Sequence, residues 1–266
     1  PIGNLDDISL RALRTLRDVD IIFAESVDRT KKLLSHHGIK SKINSFNKDN
    51  ENKKINLILK YLDESLSIAL VTDAGTPCIS DPGYYLLNNL SKDTRVVPIP
   101  GPSSLSTALS LSKIPINSFS FLGFLPKKQN DRLKKLKEQY DRNIAVSIFE
   151  SKHRLISLLK DILTIYGENI FVGIYRELTK IHETVMHGKV NELIDYYSQH
   201  PPVGEFVLII SPSKSSSNLK INYLSMIDKL SKKNYSNKDI VDIIHVITGV
   251  TKKEIYKNVL TIRHDT

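Results

Sequence analysis

The residues best suited to binding a small molecule lie in one loop, residues 72–83, which reads TDAGTPCISDPG. The loop follows an apolar run that predicts a strand, and Asp81 and Pro82 are expected to begin the next helix as its N-cap and first residue. Ligands of open α/β sheets bind at the carboxyl ends of strands, and small residues let them approach the backbone. Because Asp73 and Asp81 add acceptors for an amine or a ribose hydroxyl, we predict a ligand site here. A purely structural turn is the alternative.

A second loop of this kind, residues 98–104, also lies between a predicted strand and a predicted helix. Its Pro-Gly-Pro sequence is typical of a turn, with Ser103 as the expected N-cap of the helix and Ser104 able to face a ligand. Two strand-end loops in the same half of the chain together favour a cleft.

Charged residues follow other predicted strands. Glu25 directly follows the predicted strand at 19–24 and could position a substrate hydroxyl. Alternatively, the polar residues here serve only the following helix, with Asp28 or Thr30 as its cap. In the second half, residues 149–154, 176–183 and 203–206 mix acids and bases at strand ends, as a polar substrate would require. Neither half contains a phosphate-binding glycine motif, a metal-ligand spacing or a hydrolase Gly-x-Ser-x-Gly motif.

The elements that must position these loops alternate between short β-branched runs and helical periodicity. We predict an N-terminal α/β domain at 1–113 with a mainly parallel sheet, including a strand at 95–99. A second α/β domain follows at 114–213, with four predicted strands, and a serine-rich linker at 211–218 leads into the tail. The tail, 214–266, is expected to form two or three short helices with capping boxes at Ser236 and Thr251.

Composition narrows the class of protein. The chain has 266 residues, of which 40% are hydrophobic, and none of its apolar runs approaches the roughly 20 residues that span a bilayer. A single cysteine, Cys78, excludes an internal disulfide framework, so we expect a cytoplasmic protein without membrane contact. The net charge is +9, and the tail has ten Lys/Arg against five Asp/Glu. Such charge favours a nucleic-acid partner, although scattered surface lysines would explain it equally well.

Together, several motifs resemble the bacterial 16S rRNA cytidine 2′-O-methyltransferase family, which has the tetrapyrrole-methylase fold. The resemblance covers nearly the whole chain, and its most specific part is the Asp-Ala-Gly-Thr-Pro sequence joined to Ile-Ser-Asp-Pro-Gly. The other matching segments, in chain order, are PIGNLDDI at 1–8, PGPS at 100–103, GFLPKK at 123–128, FES with HR at 149–154, RELTK at 176–180 and GE at 204–205.

The resemblance implies two α/β domains with a cleft between them, a small helical tail, and a homodimer. It implies S-adenosylmethionine as cofactor, methyl transfer to a ribose 2′-oxygen in the decoding centre, and 16S rRNA of the small ribosomal subunit as partner. By analogy, the residues expected to bind the cofactor are Pro1, Asp73, Ala74, Gly75, Thr76, Pro77, Ile79, Ser103, Ser104 and Glu150. Those expected to contact RNA are Lys127, Lys128, Arg132, Arg154 and Lys180.

A ribose hydroxyl is a poor nucleophile, so positioning should dominate catalysis and a carboxylate should accept the proton. Glu25, Glu150 and Glu177 are the candidate catalytic residues. Where the family reads Glu-Asp-Thr-Arg, this chain reads Glu25-Ser26-Val27-Asp28, and the strand that the family has before Pro1 is expected to be missing. Two alternatives therefore stay open: a tetrapyrrole C-methyltransferase and a ribosome-binding factor with impaired catalysis.

Overall fold

The computed structural model describes residues 1–212, 223–233, 235–248 and 250–264. The chain divides into two compact units, residues 1–213 and 214–266. The first unit contains a 3-10 helix Leu5–Asp7, α1 Leu10–Asp18, β1 Ile21–Ala24, α2 Val27–His36, β2 Lys42–Ser45, α3 Glu51–Asp63, β3 Ile68–Val71, α4 Tyr84–Asn89, α5 Ser104–Ser110, β4 Phe119–Phe124, α6 Gln129–Arg142, β5 Ala145–Ser151, α7 Leu155–Tyr166, β6 Phe171–Arg176, β7 Thr184–Lys189, α8 Val190–Gln199 and β8 Glu205–Ile210. The mixed α/β fold predicted from the sequence is confirmed.

The N-terminal sheet is parallel and has the strand order β2-β1-β3. Its central strand, β1, is entirely apolar and buried. Successive side chains of a strand point to opposite faces, so Phe23 packs with Ile58 of α3 while Ile22 packs with Leu34 of α2 on the other side. Helices on both faces thus cover the sheet and leave its strand ends to carry polar loops.

The second sheet has five strands in the order β4-β5-β8-β6-β7, and only the β4–β5 pair is parallel. One face packs against α7, whose Leu158 and Ile162 meet Ile148 of β5 in the largest apolar cluster of this unit. The carboxyl ends of β5 and β6 carry Glu150 and Arg176, and so bring charged residues to one edge of the sheet.

Two predictions about local structure are wrong. Residues 95–99 do not form a strand: Val96 and Val97 are exposed, and within the described ranges nothing pairs with the outer edge of β3. A strand needs a hydrogen-bonded neighbour, which the apolar pattern alone does not supply. The next helix starts at Tyr84, with Gly83 rather than Asp81 as N-cap, because the Pro82 carbonyl turns back to accept the Cys78 amide at 3.2 Å.

Two strands escaped the sequence analysis. Strand β2 reads Lys-Ile-Asn-Ser, and the edge strand β7 reads Thr-Val-Met-His-Gly-Lys, so neither shows a run of apolar residues. The N-cap of α2 is Ser26 rather than Asp28 or Thr30, because the Ser26 side chain accepts the Arg29 amide.

The second unit consists of α9 Tyr223–Lys232, α10 Asn237–Thr248 and α11 Lys252–His264, which share an apolar core around Ile227 and Ile244. The predicted capping at its helix starts is present: Ser236 Oγ accepts the Asp239 amide at 3.1 Å, and Thr251 Oγ1 accepts the Glu254 amide at 3.4 Å. The predicted linker, from residue 213 onward, lies outside the described residues. Within the described ranges, none of the helices has the length and apolar content needed to cross a membrane.

Candidate active site

A cavity of about 710 Å³ in the first unit collects strand-end residues from both sheets. The N-terminal sheet contributes Glu25 after β1 and Asp73 after β3. The five-stranded sheet contributes Phe124, Glu150 and Glu177, which lie at or just beyond the ends of β4, β5 and β6. The cavity is therefore placed where ligands of α/β proteins bind, at the carboxyl ends of strands.

Glu25, Asp73 and Asp81 form a group of acids that we call the carboxylate cluster. Strands β1 and β3 are parallel neighbours with Ala24 opposite Val71, so the residues that follow them emerge side by side. The Asp73 amide donates to Glu25 Oε2 at 3.1 Å, and Arg29 lies 3.3 Å from the Asp73 carboxylate. The two loops are thereby tied together at the cavity wall.

The pKa of Asp81 is raised to about 6. Burial is the main cause, the negative charges of Glu25 and Asp73 add to it, and Lys48 partly opposes it. No hydrogen bond or ion pair engages the Asp81 carboxylate within the part of the chain that the structure describes. An unengaged carboxylate with a pKa close to neutral is suited to accepting a proton.

At two positions in the loop 72–83, the backbone has a conformation that residues other than glycine rarely adopt. Cys78 and Ser80 have φ of +71° and +67°. Residues in this conformation are strained, so surrounding contacts must hold them, and they are found most often at ligand and active sites. Those contacts are on hand: Lys48 Nζ donates to the Ser80 carbonyl at 3.1 Å, and the buried Glu51 accepts the Gly83 amide at 3.0 Å. These two hydrogen bonds therefore hold the loop at Ser80 and Gly83.

Glu150 is a buried acid whose side-chain oxygens have different surroundings. Only 2% of the residue is exposed, and Oε1 accepts the Ser151 amide at 2.8 Å. Oε2 lies 3.4 Å from Arg154 but makes no hydrogen bond within the described residues. Burial raises the pKa of Glu150, against the opposing effects of Ser151 and Arg154. A buried acceptor left in this way suits a ligand donor.

Glu177, Lys180 and Glu205 form an ion-paired group on another wall of the cavity. Lys180 Nζ lies 3.0 Å from Glu177 Oε1 and 2.9 Å from Glu205 Oε2. Burial alone would raise the pKa of Glu177, but the Glu205 amide and Lys180 outweigh it and lower that pKa. Gly204 packs so closely on Glu177 that a Cβ atom there would lie 2.6 Å from the carboxylate. Glu177 is therefore held as an anion.

The structure brings most of the expected cofactor residues together. Those that line the cavity are Asp73, Ala74, Ile79, Ser104 and Glu150. The remaining ones, all within the described residues, do not line it: Pro1, Gly75, Thr76, Pro77 and Ser103. Pro1 nevertheless supports the loop, because its carbonyl accepts the Gly75 amide at 3.4 Å.

The expected RNA-contacting residues divide into two kinds. Lys127 and Lys128 are exposed, as a phosphate contact requires. The expectation that Arg132 contacts RNA is wrong, because its side chain is buried and bonded to Asp161 inside the fold. Arg154 donates to the carbonyls of Leu125 and Pro126. Together with the ion-paired Lys180, Arg154 is therefore already engaged by the protein.

The sequence analysis gave no role in the site to two aromatic residues that line the cavity, Phe124 and Tyr175. Asp81 was predicted to be an acceptor of the ligand site as well as a helix cap, and it lines the cavity although it does not cap the helix. Phe124 stood in a matching motif without a role, and the buried Tyr175 had no signal beyond its apolar strand. Among the described residues, no group of three or more His, Cys, Asp or Glu is placed to hold a metal ion.

The fold is similar to those of two solved methyltransferases. The methyltransferase CobJ superimposes with a TM-score of 0.60 at 14% identity, covering 79% of this chain and 90% of that chain. The cobalamin biosynthetic enzyme cobalt precorrin-4 methyltransferase, CbiF, gives 0.59 at 15% identity with the same coverage. The family model described as Tetrapyrrole (Corrin/Porphyrin) Methylases matches residues 1–194. The family model, with the shared fold, thus defines the class, a methylase of the tetrapyrrole type.

Closer relatives carry a more specific name, Ribosomal RNA small subunit methyltransferase I. The protein from Thermotoga maritima is 46% identical over 79% of this chain and 95% of its own length. Those from Buchnera aphidicola subsp. Schizaphis graminum and Halalkalibacterium halodurans are each 36% identical, over 98% and 96% of this chain and 93% and 91% of their own lengths. The chain therefore belongs to the tetrapyrrole methylases and, within them, to the family of ribosomal RNA small subunit methyltransferase I, and it is a methyltransferase.

Proposed function

We propose that the protein transfers a methyl group from S-adenosylmethionine to the ribose 2′-oxygen of a cytidine in 16S rRNA, within the decoding centre of the small ribosomal subunit. The names of its relatives supply the class of substrate. The observation that carries the proposal is the carboxylate cluster of Glu25, Asp73 and Asp81, which lines the cavity. Ribose methylation needs a proton acceptor beside the reacting hydroxyl, and the cluster provides one.

The cavity fits the proposed cofactor. S-adenosylmethionine supplies an electrophilic methyl group on a cationic sulfur and carries an amine and two ribose hydroxyls. Asp73 Oδ1 and Glu150 Oε2 are buried acceptors without hydrogen bonds in the described structure, and both residues line the cavity. Ala74 and Ser104 are small enough to let a ligand approach the backbone. These residues would hold the cofactor, with Ile79 covering an apolar part of it and Pro1, Gly75, Thr76, Pro77 and Ser103 supporting the loops.

Asp81 is the residue that we propose accepts the hydroxyl proton. Of the other acids in the cavity, Glu150 is the one proposed to hold the cofactor and Glu177 is paired with Lys180, so neither is assigned to the proton. Glu25 holds the Asp73 amide and raises the pKa of Asp81, which makes it a positioning residue. Most of the acceleration would come from holding the hydroxyl in line with the methyl group, with proton acceptance adding to it.

RNA contact is proposed for Lys127 and Lys128 and for the basic helices of the second unit. We expect the Lys127→Ala/Lys128→Ala double variant to bind small ribosomal subunits more weakly and with a smaller salt dependence than the unaltered protein. Each phosphate contact adds roughly one unit to the slope of log affinity against log salt concentration. Filter binding at four salt concentrations measures that slope. The matched control is Lys134→Ala/Lys135→Ala on α6, two lysines C-terminal to the proposed contact.

The outcome of this experiment decides whether Lys127 and Lys128 contact RNA. A shallower slope for Lys127→Ala/Lys128→Ala, but not for the control variant, would support this contact. Equal slopes for the unaltered protein and both variants would remove Lys127 and Lys128 from the interface.

The proposed substrate assigns the protein to the cytoplasm, where ribosomes are assembled. The family resemblance adds a homodimer, which light scattering of the purified chain tests.

Methyl transfer itself is tested with radiolabelled S-adenosylmethionine. We expect label to enter small ribosomal subunits from a bacterial strain that lacks ribosomal RNA small subunit methyltransferase I. Large subunits from the same strain should stay unlabelled. Label entering a tetrapyrrole precursor instead would replace the proposal with small-molecule methylation. Cofactor binding by calorimetry without transfer to either substrate would favour a ribosome-binding factor with impaired catalysis.

A further inference from the structure

Phe124 is a large apolar side chain that lines the cavity and remains exposed. It is the last residue of β4, and 59% of it is accessible. Two other cavity residues, Ile79 and Val203, are likewise exposed and apolar. Exposed apolar surface inside a concave site is unfavourable in water, and it commonly marks the place of a ligand's apolar face.

The Phe124 ring rests against Phe149, and contacts hold the backbone on either side of it. Its edge meets the ring of Phe149 at 5.8 Å between centroids and an angle of 64°, and Phe121 packs on Phe149 in turn at 4.8 Å. On the preceding side, Gly123 touches Ser80 so closely that a Cβ atom would lie 2.7 Å from its Oγ. On the following side, Arg154 donates to the Leu125 carbonyl at 2.8 Å. A ring whose backbone and one edge are held in this way loses less conformational freedom when a ligand stacks on it.

The surroundings of Phe124 match the parts of a nucleotide. Ser80, against which Gly123 packs, directly precedes Asp81 of the carboxylate cluster. Lys127 and Lys128 are exposed three and four residues further along the chain. An aromatic face, carboxylates and ammonium groups suit a base, a ribose hydroxyl and a phosphate respectively. Proteins that bind unpaired RNA bases commonly stack them on aromatic rings.

We propose that Phe124 is the stacking platform for the nucleobase of the target nucleotide and so sets the position of its ribose hydroxyl beside the carboxylate cluster. The inference rests on the proposed function, because it assumes an RNA substrate. It adds a substrate-binding residue to the site: the base must leave its own stack to reach the ring.

Phe124→Ala is the first test. Loss of base stacking should raise KM for small ribosomal subunits by about 10- to 100-fold, with the Kd for S-adenosylmethionine unchanged within about twofold. Phe124→Tyr keeps the ring and should restore KM. Phe119→Ala is the matched control, since Phe119 is exposed on the same strand but does not line the cavity. If the unaltered protein methylates 16S rRNA and Phe124→Ala does so with the same KM, the inference fails while the proposed function stands.

A second test reads binding without turnover. The chain contains no tryptophan, so Phe124→Trp introduces a single indole whose fluorescence reports stacking. We expect quenching when an oligoribonucleotide containing the target cytidine is added, and none for Phe119→Trp. Quenching by S-adenosylmethionine alone, together with weakened cofactor binding in Phe124→Ala, would assign the ring to the cofactor's adenine and overturn the inference.

Discussion

Replacing Asp81 with asparagine should lower kcat by about 10²–10⁴-fold, the range over which a positioned proton acceptor contributes to catalysis. The substitution keeps the size of the side chain and removes only its ability to take a proton. Affinity for S-adenosylmethionine should stay within about threefold, because the proposed cofactor contacts are made by Asp73 and Glu150. Single-turnover methyl transfer measures the loss, and calorimetry checks the affinity.

The pH dependence gives this prediction a second readout. Asp81 must be ionised to accept a proton, and its pKa is about 6, so activity should fall as the pH drops below about 6. The matched variant is Glu25→Gln, which keeps an acceptor oxygen for the Asp73 amide and removes one negative charge near Asp81. Since that charge raises the pKa of Asp81, the acidic limb should move to lower pH in Glu25→Gln. Full activity in Asp81→Asn, or an unmoved limb in Glu25→Gln, would contradict these roles.

Replacing Asp161 with alanine should cost about 3–5 kcal/mol of folding free energy, because it leaves the charge of Arg132 buried without its partner. The two side chains are about 5% and 2% exposed, and Gln129 also donates to Asp161. For a protein of this size, the melting temperature should fall on the order of 10 °C. Scanning calorimetry or thermal denaturation followed by circular dichroism measures the shift.

An exposed pair on the same helix is the control for this prediction. Lys137 and Asp141 lie 2.6 Å apart but are more than half exposed, so Asp141→Ala should change stability by less than about 1 kcal/mol. Arg132→Met combined with Asp161→Leu removes both charges and should recover much of the loss. Equal melting temperatures for Asp161→Ala and Asp141→Ala would show that the buried pair does not stabilise the fold as argued.

Much of the site could be predicted because its residues lie where strands end. The loops after β1 and β3 were identified from an apolar run followed by small and acidic residues, and these loops do line the cavity. Glu150 and Glu177 were found in the same way at the ends of β5 and β6. Such predictions rest on sequence neighbours, which fix where a strand stops and a polar loop begins.

What escaped prediction depends on contacts between residues distant in sequence. The raised pKa of Asp81 depends on Glu25, which lies 56 positions earlier, and on burial that no local pattern reveals. Arg132 stands in a lysine-rich stretch and was expected to contact RNA. The signal that could have corrected it was Asp161, an acid on the apolar face of α7 beside Leu158 and Ile162, which requires a buried partner.

The most direct test of the central claim is to locate the transferred methyl group. After reaction with labelled S-adenosylmethionine, small ribosomal subunits are digested to nucleosides and fragments, and mass spectrometry identifies the labelled nucleoside and its position. We expect 2′-O-methylcytidine at one site in the decoding centre of 16S rRNA, formed by the unaltered protein and strongly reduced in Asp81→Asn. A methyl group on a base, on another RNA, or formed equally well by Asp81→Asn would contradict the account.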